Sequence, residues 1–143
     1  MVYYELLPNN QTINSKKYCE QLVNMKAALT QKRPALVNRE KIVFHHDNAK
    51  PHTSVTTVQK LMEFSWDVLP HPSYSPDLAP SDFHLFRSLQ NSLNGKNYQS
   101  LEDIKIHLDE FFQSKDETFW RNGIMKLPER WAKVIENNGQ YIS

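Results

Sequence analysis

The sequence predicts an α/β fold in which short strands alternate with crossover helices. Three observations carry that prediction. Ile42, Val43 and Phe44 form a short apolar, β-forming run that stops at the polar cluster His45, His46, Asp47 and Asn48. A second such run follows at Trp66–Leu69. Ahead of the first run, Tyr18, Leu22, Met25 and Leu29 recur at i, i+4, i+7 and i+11, the spacing of one helical stripe. Together with Val2–Leu7, which also reads as a strand, the order is strand, helix, strand, helix, strand, as in a sheet with crossover connections.

Taken in order, Val2–Leu7 leads into a turn at Pro8, Asn9 and Asn10. Asn14 or Ser15 can cap a helix running to about Lys32, with Cys19 beside its apolar stripe. Pro34 and Asn38 mark the loop into the central strand, and the stretch Lys41–His52 turns by Pro51, which cannot sit in a central strand. A helix over about Thr53–Phe64 would place Val55, Val58, Leu61 and Met62 inward. Pro70, Pro72, Pro76 and Pro80 then impose an ordered, non-helical path that can place a side chain at low entropic cost. Ser81 is expected to cap a helix to about Leu93, with Asp82 in its first turn and Gly95 as the stop. Ser100 opens a capping-box pattern, SLED, and Leu101, Ile104, Leu108 and Phe111 form the buried face of that helix. Trp120, Ile124, Leu127, Trp131 and Val134 supply the last apolar groups, with Pro128 suited to the first turn of a final helix.

A chain of 143 residues, 39% hydrophobic, is enough for one domain with a real core, here residues 1–143. No run approaches a membrane span and no leader pattern is visible. The one cysteine, Cys19, excludes an internal disulfide and a cysteine-based zinc site, and fits a reducing, intracellular compartment. A net charge of +1 does not announce a nucleic-acid binder, so any such reading must rest on motifs.

Two carboxylates stand out, Asp47 at the tip of an apolar strand and Asp82 at the start of a helix. Each has an ordinary explanation. An Asp after a strand forms turns, and an Asp in a first helical turn suits the helix dipole. Asp77 reads as a local turn former. Asn48 can hydrogen-bond Asp47 or its own turn. His45 and His46 alternate, so one should face inward. Lys50 and His52 follow Asp47 closely, and basic side chains of this kind can meet phosphate. His71 and His84 flank the second motif, and Trp66, Trp120 and Trp131 read as core groups before base-stacking ones.

HDNAKPH (His46–His52) followed by LPHPSYSPDLAPSDFHLF (Leu69–Phe86) resembles the catalytic domain of mariner-type transposases, of the Tc1/mariner superfamily. The likeness runs from VYYELL at Val2 to KLPERW at Lys126 and the NGQYI ending at Ile142. The resemblance implies a ribonuclease H-like fold, incomplete here and lacking the first strands of its sheet. It implies that Asp47 and Asp82 are the second and third catalytic carboxylates and ligands of Mg²⁺ or Mn²⁺ in a two-metal site. Such cations activate a water or a 3′-hydroxyl and stabilise the leaving oxygen of a phosphodiester. Asn48, Lys50 and His52 would support those ligands or touch DNA.

The partner implied is DNA, transposon ends in the intact family, acting in the nucleus, with a homodimer only in the full-length protein. The first catalytic Asp and the helix-turn-helix region of the family have no counterpart in these residues. The expectation is therefore weak or absent metal binding and no strand transfer by this chain alone. The sequence also resembles the transposase-derived half of the SET–mariner fusion protein, which suggests the alternative of a domesticated, non-catalytic DNA-binding or repair module. In that fusion protein the third acidic position is Asn, whereas Asp82 stands here, as in an ordinary mariner copy.

Overall fold

The structure, a computed structural model, describes residues 1–8, 11–37 and 42–136. The turn residues Asn9 and Asn10, Asn38 and Lys41 before the central strand, and the Asn138–Ile142 ending lie outside the described residues. The chain divides into two compact units, Met1–Ser73 and Tyr74–Ser143.

In the first unit, α1 spans Ser15–Lys32. Asn14 is its cap, and its side-chain oxygen accepts the Lys17 N–H at 2.8 Å, satisfying one donor that the first turn leaves over. The stripe read from the sequence is the buried one. Leu22 and Leu29 join Leu61 and Trp66 in the core, and Tyr18 and Met25 pack against them. A short helix, α2 (Pro34–Val37), follows.

Two strands, β1 (Val43–Phe44) and β2 (Asp67–Val68), pair in parallel with Val43 opposite Asp67 and Phe44 opposite Val68. The Asp67 and Leu69 N–H groups donate to Ile42 and Phe44, each at 2.8 Å. Parallel neighbours need a crossover, and α3 (Lys50–Thr53) and α4 (Val55–Glu63) supply it.

Helix α4 does not bury the face expected. Val55, Val58 and Met62 are exposed, whereas Leu61 is buried and Thr57 fully so. Hydrogen bonding decides the orientation. Ser54 caps the helix through the Thr57 N–H, and the Thr57 hydroxyl donates to the Pro51 carbonyl at 2.5 Å while accepting from Ser54 Oγ at 3.0 Å. A threonine so satisfied can occupy the core because its hydrogen bonds offset the cost of removing the hydroxyl from water. The helix ends in a Schellman turn. Ser65 takes a left-handed φ of 59°, its N–H reaches Met62 O at 3.0 Å, and the Trp66 N–H reaches Leu61 O at 3.4 Å. Leu61 and Trp66, so joined, both enter the core.

Val2–Leu7 is not a strand. A strand exists through its ladder, and the only ladder among the described residues is β1–β2. The segment is instead held by single contacts. The Lys32 ammonium donates to Val2 O at 2.8 Å, Gln21 donates to Glu5 at 2.7 Å, and Val2 packs on the core.

The second unit opens on a 3₁₀ turn, Pro76–Leu78, with Ser75, Leu78 and Ala79 buried. A π-helical turn, Ser81–Phe86, runs into α5 (Arg87–Leu93). Ser81 lies inside this helix rather than capping it. Pro80 occupies the cap position without a side-chain bond, and the Asp82 and Phe83 N–H groups are met by Ala79 O at 2.9 and 3.0 Å. Gly95 follows the C-cap with φ 76°, the left-handed geometry expected of a stop.

Helix α6 (Leu101–Ser114) is capped by Ser100 Oγ, which accepts from Asp103 N–H at 3.2 Å. Leu108 and Phe111 are buried, but Leu101, the first residue of the helix, is half exposed. Helix α7 spans Glu117–Glu136 without a break at Pro128. Proline costs a helix interior about 3 kcal/mol. Here the helix keeps one continuous inward face through it, with Gly123 and Leu127 buried and Trp131 and Val134 partly so.

Candidate functional site

The acidic turn of the first unit is built by what ends β1. After Phe44 the chain leaves the ladder, and Asp47 closes a local turn by accepting the Ala49 N–H on Oδ1 at 3.0 Å. His52, in the one-turn helix α3, reaches the same oxygen with Nδ1 at 2.6 Å. Among the described residues neither contact uses Oδ2. The carboxylate is 48% exposed. Burial alone would raise its pKa. The Ala49 N–H bond and the nearby His52 and His71 outweigh that and hold it below the ordinary aspartate value. Asp47 is therefore an oriented, ionised, solvent-reachable carboxylate at neutral pH.

Around it the polar side chains sort by strand alternation. His45 points one way and pairs with His71, Nε2 to Nδ1, at 3.0 Å. His46 points the other way and pairs through Nδ1 with the Tyr18 hydroxyl at 2.8 Å. Both rings are half-buried, so neither is the single inward histidine expected. Desolvation, reinforced by the neighbouring His52, lowers the His46 pKa to about 4, and it is neutral at pH 7. Desolvation also lowers His45, and burial together with the Asp47 charge raises Tyr18.

Asn48 donates to the His71 carbonyl, which ties the turn after β1 to the loop after β2. Lys50 is exposed at the start of α3. His71, which in sequence flanks the second acidic motif, thus belongs to the first. Its bond to His45 could not be read from spacing, because it depends on the register of β1 and β2. Trp66 is a core residue, packed on Phe44 and Phe64 at 5.3 and 5.0 Å between ring centroids.

Asp82 lies in the second unit, exposed in the first turn of the π-helical segment. That segment is fastened to α7. His84 Nε2 donates to the Phe119 carbonyl at 2.7 Å, and the Arg130 guanidinium covers the Phe83 ring at 4.2 Å while donating to Asp77 O at 3.0 Å. The Asp77 backbone makes the local turn expected of it, and its Oδ2 is buried without a hydrogen-bond partner among the described residues. Asp47, Asn48, Lys50 and His52 are thus gathered in one turn of the first unit, and Asp82 is positioned within the second. No group of three or more metal-ligating side chains occurs among the described residues.

Comparison with known proteins adds the context for these two carboxylates. Residues 1–39 match a family model described as a transposase, partial DDE domain. The chain is 46% identical over 143 residues to the mariner Mos1 transposase of Drosophila mauritiana, covering 99% of this chain and 41% of that protein. It is 40% identical over 141 residues to the histone-lysine N-methyltransferase SETMAR of Homo sapiens, covering 99% of this chain and 21% of that one.

Among solved structures, the Mos1 transposase catalytic domain with raltegravir and Mn superposes with a TM-score of 0.95 at 45% identity, covering 99% of this chain and 72% of that one. The Mos1 paired-end complex with left transposon end matches with a TM-score of 0.92 at 45% identity, covering 99% and 41%. The fold and the sequence together define a class, the ribonuclease H-like catalytic domain of a DNA transposase, present here in part. Within that class the chain belongs to the mariner transposase family. It spans about two-fifths of the length of the Mos1 transposase and about one-fifth of SETMAR.

Proposed function

We propose that residues 1–143 are a DNA-binding part of a mariner transposase catalytic domain, in which Asp47 and Asp82 each serve as ligands for divalent cations. The observation that carries this reading is the state of Asp47. It is ionised, half-exposed, and oriented by two donors on a single oxygen. Such a group suits Mg²⁺ or Mn²⁺, which take oxygen donors and keep several waters. Bound there in a pair, such cations supply an activated water or 3′-hydroxyl and stabilise the leaving oxygen of a phosphodiester. The chain's own part is to hold Asp47 ionised, to tie its turn to the neighbouring strand through Asn48, and to offer Lys50 to the DNA phosphates. Nuclear location, transposon-end DNA as partner, and dimerisation in a longer chain belong to the same reading.

Two of the three family carboxylates lie within these residues, so cation binding here is weak and strand transfer needs further residues. The test is nicking of supercoiled DNA with Mg²⁺ or Mn²⁺ by residues 1–143 and by the same chain joined to a mariner upstream catalytic region. The expected outcome is no nicking by the first and nicking by the second, abolished by Asp47→Ala and by Asp82→Ala. Nicking by residues 1–143 that Asp47→Ala removes refutes the inactivity. An active longer chain indifferent to either substitution refutes the ligand assignment. The alternative, a non-catalytic DNA-binding or repair module, predicts DNA binding by both chains and nicking by neither.

A further inference from the structure

The Asp47 carboxylate has a support that reaches back to α1. His52 does not stand alone behind it. Its ring lies parallel to that of His46, with centroids 4.9 Å apart and planes 8° from each other. Its other neighbour is the Tyr18 ring, at 4.2 Å. Tyr18 also closes the arrangement from below, since its hydroxyl is bonded to His46 Nδ1 at 2.8 Å. His46 is itself braced edge-on against Phe44 of β1 at 5.0 Å. The His52 imidazole thus rests against a tyrosine and a second imidazole, whose own centroids are 5.9 Å apart, and its Nδ1 lies 2.6 Å from Asp47 Oδ1 and 3.3 Å from the Asp47 carbonyl oxygen.

An ionised carboxylate only accepts hydrogen bonds, so His52 must carry a proton on Nδ1. The partners that fix ligand carboxylates in this way matter for binding. Removing such a partner typically costs a metal site about 10–100-fold in affinity.

We propose that Tyr18 and His46 form a platform that locks the His52 ring with its Nδ1–H on Asp47 Oδ1, making His52 and Tyr18 positioning residues that leave Oδ2 for the cation. This rests on Asp47 being a ligand, as argued above. Neither Tyr18 nor His46 touches the cation. Tyr18 belongs both to the core stripe of α1 and to this platform, so the core holds the ligand in register.

The experiment has two readouts on residues 1–143. The first is the ¹⁵N–¹H imidazole spectrum of the metal-free chain. His52 is expected as the Nδ1–H form, with its resonance shifted by Asp47→Asn and broadened in Tyr18→Phe, which keeps the ring stacking but loses the hydroxyl. An Nε2–H form of His52, or a spectrum that Tyr18→Phe leaves unchanged, overturns the platform.

The second readout is Mn²⁺ affinity by water-proton relaxation, with Mn²⁺ alone as the probe. His52→Gln, whose amide cannot reach from the Nδ1 position, is expected to weaken binding by about 10–100-fold. His52→Asn, whose amide nitrogen sits where Nδ1 does, is expected to restore most of it. Circular dichroism shows whether each variant is folded. Loss on Asp47→Asn with no loss on His52→Gln overturns the positioning role alone. No Mn²⁺ binding by the parent chain, or binding indifferent to Asp47→Asn, overturns the ligand reading on which the proposal rests.

Discussion

Gly123→Ala tests how the turn bearing Asp82 is held. Gly123 is buried in α7, and a Cβ built on it falls 2.4 Å from His84 Cδ2 and 2.8 Å from His84 Cγ. The second distance matters more, because Cγ is bonded directly to Cβ and moves only if χ1 changes. In an exposed helix the substitution would stabilise by about 1 kcal/mol through helix propensity. Here the overpacking costs about 1–3 kcal/mol. Displacing His84 also loses its 2.7 Å bond to Phe119 O, worth about 1 kcal/mol net. The balance is a destabilisation of about 1–3 kcal/mol. Urea unfolding followed by tryptophan fluorescence reads it, since Trp120 adjoins Phe119 at 5.1 Å between ring centroids. The decisive comparison is the His84→Ala background. With the imidazole gone the added methyl has room, and Gly123→Ala should then stabilise by about 1 kcal/mol. The same destabilisation in both backgrounds would refute the idea that His84 and Gly123 form the fastening.

Thr57→Val keeps the shape of a fully buried side chain but leaves the Pro51 carbonyl only the longer Ser54 hydroxyl bond, at 3.4 Å; it should destabilise by about 1–3 kcal/mol in chemical unfolding, and a neutral result would show that the Thr57 hydroxyl does not orient α4. Acid should weaken the first unit in two stages. His46 falls from an ordinary 6.5 to about 4 in the fold, so between those values the unfolded chain binds a proton the folded chain refuses, and stability declines as pH falls through that window. The loss attributable to His46 is about 1–2 kcal/mol once solvent screening is allowed for, and NMR titration of its ring should show a midpoint near 4. Asp47, depressed below its ordinary value, adds a further loss only as pH falls through its folded pKa, and Asp47→Asn should remove that second stage. Ser65→Gly relieves a left-handed serine at the C-terminus of α4 and should change stability by no more than about 1 kcal/mol, in the stabilising direction, by thermal melting.

The elements that could be read from the residues are those whose signals are local. Asn14 at a cap, an apolar stripe from Tyr18 to Leu29, and Ser100 three residues before the N–H it caps each depend on neighbours a turn away. What could not be read depends on partners elsewhere. Val2–Leu7 has the composition of a strand, but composition does not supply a ladder. The valines of α4 have helical spacing and hydrophobicity. They lost the inward face to Thr57 because a turn several residues upstream offered its hydroxyl an acceptor. Pro128 obeys the rule for a first turn yet sits inside α7, where one continuous apolar face outweighs the missing N–H.

The same division runs through the acidic turn. Asp47, at the end of an apolar run, and Asp82, in a first helical turn, each carry an ordinary local reading, and only the resemblance of the two motifs together singled them out. The groups that decide what Asp47 can do were less legible. His71 reads as a neighbour of the second motif, yet it bonds to His45 because β2 lies beside β1 in parallel register. Tyr18 reads as one more apolar position on α1. Its hydroxyl, at the edge of the core, faces an imidazole from the end of β1, and only the packing of α1 under that end brings the two together. A carboxylate announces itself by its charge, whereas its orientation is a property of the fold. The ordinary core contacts of α1 are therefore where changes in the behaviour of Asp47 should be sought.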